Sequence, residues 1–554
     1  MRYPTLLLLA ACASPGAFAQ PKPTVPERPE RAAKPEAVKQ PEEFPPRPGE
    51  RERERGRPAE AAAEGGEGAD ELARLKWDMT EHAPIATRHQ ISAGGKTLHY
   101  TATAGRMPIE DPAGGVEAEM FFVAYTLDGA DPHRRPLTFA FNGGPGSASC
   151  WIHMGALGPR KVVLQKEGWM PDGPYRLMDN PLTPLDRTDL VLVDAIGTGF
   201  SRAADMKKAK KFWGVKGDAR AFGEFIRMYI TRQQRWGSPL YLLGESYGTT
   251  RSAEVAAYLS DRGIAFKGIM LLSMVLDFQT LEITARNDLA AELTLPAYTM
   301  VALYHHKLPQ ELMQDPEKTR REAVQWARTD YAGMLARGDD LSPQERKSAV
   351  AQVARWTGLR PEIVDWANLR IGVETFTHYL LADEKLRVGR LDGRFSGPDP
   401  EGFMHPGFYD PAMFAVSAPI TSVFNDYVRT ALGYATDLPY YTSAGQVSPS
   451  PEFRFWRKWE WGSAIEGFPD TATSLRAAMV KNPWMKVMVM EGVYDLATPF
   501  AAADYTLSHL DLPPALRKNL STAVYDSGHM VYLRESALAK FHDDVGRFID
   551  STSK

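Results

Sequence analysis

Five short apolar runs, most of them opening into glycine-bearing loops, constrain this chain more than any other feature. They are "LTFAFNGG" (137–144), "DLVLVDAIGTG" (189–199), "PLYLLGES" (239–246), "KGIMLLSMV" (267–275) and "KVMVMEGVYD" (486–495). Their apolar residues are continuous rather than alternating, which suits strands buried on both faces of a sheet. Helical stretches separate them. "DARAFGEFIRMYITRQQRW" (218–236) puts Phe222, Phe225, Ile226 and Tyr229 on one face, and "TTRSAEVAAYLSDRG" (249–263) ends on a glycine suited to a helix C-terminus. Alternating strands and helices imply an α/β fold with a mainly parallel sheet and helices on both faces.

From 277 to 435 the strand rhythm stops. "LSPQERKSAVAQVARW" opens with Ser342 and Glu345 in capping-box spacing and a proline at the first helical position. "EKTRREAVQWARTDYAGMLARG" and "VETFTHYLLADEKL" are also helical in period. This block is read as a mostly helical insertion, placed as a cap over the carboxyl edge of the sheet.

The N-terminal part is different material. "MRYPTLLLLAACASPGAFAQ" has an early arginine, a short apolar run and an Ala-Phe-Ala site, which together predict an export signal over residues 1–19. The competing reading is a lipoprotein signal, since "LAAC" offers Cys12 for lipidation and a membrane anchor. The run is far shorter than the ~20 residues a membrane-spanning helix needs. Residues 20–74 are rich in proline, charge, alanine and glycine and are predicted to be a disordered linker. The folded part is expected over 75–554. With a formal net charge of −4 and both signs interspersed, the chain gives no argument for a nucleic-acid partner. If Cys12 leaves with the signal, Cys150 is alone and no intramolecular disulfide forms. It is read as a buried structural thiol close to the site.

"GESYG" (244–248) is a G-x-S-x-G sequence after an apolar run and before a helix. That context suits a sharp strand-to-helix turn, which lifts a serine hydroxyl above the sheet edge and places helix N–H groups behind it. Ser246 is the candidate nucleophile. It needs a histidine base and an orienting acid, in the chain order Ser, acid, His for this kind of sheet. Of 12 histidines, four lie beyond residue 400. His529, in "VYDSGHMVY", follows a strand-like end and a glycine turn. His509 and His542 sit in helical stretches, and His405 in an irregular loop stays open on physical grounds. For the acid, Asp495 closes an apolar run, where such sites are built. Asp526 is the runner-up, better suited to capping a turn.

Taken together, "FNGGPGSAS" (141–149), "GTGFS" (197–201), "GESYG" (244–248), "YDLATP" (494–499) and "GHMV" (528–531) resemble the serine carboxypeptidases, peptidase family S10, from about residue 95 to the C-terminus. The resemblance implies an α/β-hydrolase fold with an inserted helical cap. It implies a triad of Ser246, Asp495 and His529, and an oxyanion hole from the N–H groups of Gly144 and Tyr247. It also implies that Asn142, Gly143 and Glu245 grip the substrate's terminal carboxylate. Two carboxyl groups hydrogen-bond only by sharing a proton, so that grip should weaken as pH rises. The chain departs from the family at "GALGP" (155–159), where Ala156 replaces a second supporting glutamate, and at Ser147, where a cysteine is usual. The basic run "KKAKKFW" (207–213) is read as a solvated surface segment.

The leading expectation is an exported enzyme that releases C-terminal residues from peptides through an acyl-enzyme, with no metal or cofactor. An esterase or acyltransferase on the same framework is the alternative, supported by Ala156. A non-catalytic peptide-binding protein of the cell envelope is a further alternative, opposed by the complete Ser, Asp and His set.

Overall fold

The computed structural model describes residues 76–404, 409–447, 459–462 and 467–553, all within one compact unit, Ala62–Lys554. The expected export signal, Cys12, the linker over 20–74 and His405 lie outside the described residues.

The main sheet has nine consecutively paired strands: β1 (Ile85–Ala93), β2 (Lys96–Glu110), β3 (Val116–Leu127), β4 (Leu137–Phe141), β5 (Asp189–Val193), β6 (Leu240–Glu245), β7 (Gly268–Leu272), β8 (Lys486–Gly492) and β9 (Leu520–Tyr525). Their order across the sheet is β1-β2-β3-β5-β4-β6-β7-β8-β9, and a two-residue strand, Arg202–Ala203, pairs with β3. From β5 to β9 the pairing is parallel, while β1, β2, β3 and β5 pair antiparallel. All five apolar runs become parallel strands. Strand β3 carries a sixth continuous run, Met120–Tyr125, that the sequence reading did not single out, and the antiparallel pairing of β1–β3 is visible only in the structure.

The period-two geometry of these strands divides the core. Phe139, Leu242, Ile269 and Val487 face one side, and Ala140, Leu243, Met270 and Met488 the other. The first face is covered by α1 (Val215–Arg232), through Phe222, Phe225, Ile226 and Tyr229, and by α2 (Tyr247–Ser260). A third core lies among α3 (Asp288–Tyr304), α4 (Pro316–Trp326) and α5 (Pro343–Thr357). The predicted capping box opens α5, with reciprocal bonds between Ser342 and Glu345.

This helical core also contains Val493, Leu496 and Phe500, so the block sits on the chain that leaves the carboxyl end of β8. Not all of 277–435 belongs to it. Helix α6 (Pro411–Thr430) packs through Val416, Ile420 and Phe424 against the second face of the sheet. Later in the chain, α7 (Ala472–Lys481) joins the first face and α8 (Phe500–Ser508) bridges the first and third cores. Helix α9 (Glu535–Thr552) covers the second face with Phe541, Val545 and Ile549. The sheet order, the strand-to-helix turn at Ser246 and helices on both faces make this an α/β-hydrolase fold.

The run at 207–213 is only partly a solvated segment. Lys211 pairs with Glu117, Lys208 Nζ donates to the Val116 carbonyl at 3.0 Å, and Phe212 and Trp213 are buried in the first core. Among the described residues no helix is long and apolar enough to cross a membrane.

Candidate active site

Ser246 stands between β6 and α2 with φ 61° and ψ −131°, a backbone region that ordinary residues avoid. The flanking glycines make this turn possible. A Cβ on Gly244 would lie 2.1 Å from the Gly248 carbonyl oxygen, and one on Gly248 would lie 2.9 Å from the Phe141 carbonyl oxygen. The Ser246 N–H donates to the Leu272 carbonyl at 2.9 Å, tying the turn to β7. The hydroxyl faces a cavity of about 590 Å³ that Asn142, Gly143, Gly144, Glu245, Tyr247 and His529 also line.

The loop after β4 meets the start of α2 closely. A Cβ on Gly143 would fall 2.4 Å from the Tyr247 nitrogen, so only glycine lets this loop approach. Gly144 has φ 105° and is exposed to the cavity. The Tyr247 N–H is at the first position of α2, where helix amides have no partner within the helix and the helix dipole favours negative charge.

His529 and Asp495 come together as expected. His529 Nδ1 lies 2.6 Å from Asp495 Oδ2. Asp495 is fully buried; its Oδ1 accepts the N–H groups of Ala497 at 2.7 Å and Thr498 at 3.0 Å, and its Oδ2 the Thr498 hydroxyl at 2.6 Å. Those donors fix the carboxylate so that one oxygen remains directed at the imidazole. Burial opposes a charge on His529, but Asp495 outweighs it and, with Glu245, raises the imidazole above its ordinary value. The histidine loop is held by its backbone: the His529 N–H donates to Leu391 at 2.6 Å and its carbonyl accepts from Ser273 Oγ at 2.7 Å.

The other candidates lie elsewhere. Asp526 is exposed and paired with Arg534. His509 stacks on Tyr505, and His542 faces Asp186 and Asp543. Cys150 is free and fully buried, and burial pushes its thiol well above the ordinary value, so it is an inert part of the second core.

Glu245 is buried beside the nucleophile, and burial pushes its carboxyl up to about 7 despite nearby donors and His529. Its Oε2 accepts the Tyr532 hydroxyl at 2.9 Å. Asn142 Oδ1 accepts the Ile152 N–H at 3.0 Å, which turns the amide nitrogen toward Glu245 and the Tyr532 oxygen. Tyr532 was not singled out in the sequence, although it lies three residues after His529 in "GHMVY". It occupies space beside the loop containing Ala156: a Cβ on Gly155 would lie 2.5 Å from its ring. Thr498, within "YDLATP", was also unassigned.

The model for the serine carboxypeptidase family matches residues 97–324, a stretch that contains Asn142 through Tyr247 and ends before Asp495. No curated protein matches the chain. Solved structures that resemble it include an epoxide hydrolase from Aspergillus niger, at 11% identity and TM-score 0.30, covering 81% of this chain and 78% of that one. A peroxisomal α/β-hydrolase from Saccharomyces cerevisiae has 8% identity and TM-score 0.35, covering 85% and 91%. An esterase has 10% identity and TM-score 0.34, covering 81% and 99%. Residues 97–324, with the glycine-flanked serine and the NGG loop beside it, are thus similar to the serine carboxypeptidase family.

Proposed function

We propose that this protein is an exported carboxypeptidase that releases C-terminal residues from peptides through an acyl-enzyme on Ser246. The observation that carries this reading is the buried Asn142, Glu245 and Tyr532 cluster beside the serine, with Glu245 and Asn142 open to the same cavity. A carboxyl group poised near neutrality is suited to donate its proton to a substrate carboxylate.

In this reading Ser246 Oγ attacks the carbonyl of the last peptide bond, and His529 takes its proton while Asp495 orients and supports the imidazolium. The Gly144 and Tyr247 N–H groups stabilise the tetrahedral oxyanion. His529 then protonates the leaving amine, and the free amino acid departs. Water, deprotonated by His529, attacks the acyl-enzyme and regenerates Ser246. Asn142, Gly143 and Glu245 hold the terminal carboxylate and set which bond lies over the serine. Residues 1–19, read as an export signal, support action outside the cytoplasm.

The esterase alternative rested on Ala156. Tyr532 now supplies a hydrogen bond to Glu245, which weakens that argument. Hydrolysis of an N-acylated dipeptide and its C-terminally amidated twin, with Ser246→Ala as control, tests the proposal. Cleavage of the free acid alone is expected. Equal cleavage of both would remove the carboxylate clamp from the account.

A further inference from the structure

Among the described residues lining the cavity, Arg390 is the one lysine or arginine. Its backbone is closely held. The Leu496 N–H donates to its carbonyl at 3.1 Å, and the next residue, Leu391, accepts the His529 N–H at 2.6 Å. Leu391 in turn donates to Asp410 Oδ2 at 2.9 Å. Arg390 is thus fixed between the loops that carry Asp495 and His529. Its side chain is exposed, and among the described residues it forms no ion pair.

The charges around it are informative. Asp410 is buried, and its oxygens accept the N–H groups of Leu391 and Ala412 at the start of α6. Arg390 acts on it only through space. Glu282 also lines the cavity, but its N–H is bonded to the Phe278 carbonyl, and the Phe278 ring packs on Trp461 beside Tyr247; no ion pair joins it to Arg390 among the described residues. A solvated guanidinium without a carboxylate partner, facing a cavity, is a binding group for a carboxylate.

We propose that Arg390 is a specificity-determining residue that binds a carboxylate on the departing residue, so that substrates ending in aspartate or glutamate are favoured. The inference rests on the carboxypeptidase reading. In that chemistry His529 protonates the leaving amine, so the departing residue lies on the imidazole side of the cavity, where Arg390 is anchored. The carboxylate has two sources: the acidic side chain of that residue, or its terminal carboxylate. Arg390 is exposed, so the effect is moderate and weakens with salt.

The test uses N-acylated phenylalanyl-glutamate, phenylalanyl-leucine and phenylalanyl-lysine, with their amides, against the full chain and Arg390→Gln, Arg390→Lys and Arg390→Glu. The glutamate substrate is expected to exceed the leucine one in kcat/KM by about five- to tenfold. Arg390→Gln brings that ratio to near one, Arg390→Lys keeps most of it, and Arg390→Glu inverts it in favour of lysine. If Arg390→Gln instead weakens turnover of all three acids alike and leaves binding of the amides unchanged, the terminal carboxylate is the group bound. Calorimetric binding of the same dipeptides in a Ser246→Ala background reads the preference without turnover. A native protein that cleaves none of them defeats the carboxypeptidase reading, while the binding comparison still decides the role of Arg390. Turnover and binding unaffected by Arg390→Gln overturn the proposal.

Discussion

In the proposed carboxypeptidase reading, Glu245 links substrate grip to pH through a proton. The protonated carboxyl donates to a substrate carboxylate, whereas the ionised form repels it, so the grip is lost as pH rises through about 7. His529 must be neutral to accept the Ser246 proton, so activity is also lost as pH falls through its raised value. A free-acid peptide should therefore show a kcat/KM maximum with a fall above about pH 7, while an ester lacking a carboxylate shows only the acid-side limb. Glu245→Gln should abolish the alkaline fall, as pH profiles of both substrates will show. Tyr532→Phe removes a bond that favours the ionised form. It should move the alkaline limb upward and cost about 1 kcal/mol of stability by urea unfolding.

At the scale of elements, α2 does more than present the nucleophile. Arg251, fully buried within it, pairs with Asp218 of α1 at 2.7 Å and donates from Nη1 to the Asn142 carbonyl at 2.6 Å. Its guanidinium also lies 4.3 Å from the centroid of the Phe222 ring. One side chain therefore joins α1, α2 and the Asn142 loop. Arg251→Met should leave Asp218 buried without a partner and cost about 3–5 kcal/mol, measured by urea unfolding. It should also raise KM for free-acid peptides more than for esters, because the Asn142 loop loses its anchor.

At the scale of the molecule, the segment at 389–394 ties the helical block to the chemistry. Beyond Arg390 and Leu391, the Gly393 N–H donates to the Tyr494 carbonyl at 2.9 Å, and Asp392 Oδ2 accepts the Gly528 N–H at 3.0 Å while pairing with Arg394 at 2.7 Å. A Cβ on Gly528 would lie 2.4 Å from Asp392, so the contact is close. Asp392→Ala should cost about 3 kcal/mol and lower the melting temperature. At a temperature well below that transition, kcat for an ester should still fall by about tenfold or more, because His529 is less well placed. An unchanged kcat would limit Asp392 to a stability role.

The parallel strands, the turn at Ser246 and the Asp495 and His529 pair were all legible locally. Each follows from a short run whose side chains must be buried, or from a glycine whose absent Cβ makes room. Glu245 and Asn142 were marked only by the resemblance of "GESYG" and "FNGG" to the serine carboxypeptidases. The sequence did not reveal Tyr532 as the donor to Glu245, the separation of α6 from the rest of the helical block, or the clamp at 389–394. Those depend on contacts between residues 245 and 532, or 392 and 528, which are far apart in the chain and meet only in the tertiary structure. Local pattern records what each residue needs, namely burial, a turn or a partner. Which distant group meets that need is decided by tertiary packing, where a hydroxyl, a carboxylate or a guanidinium arrives from another part of the chain.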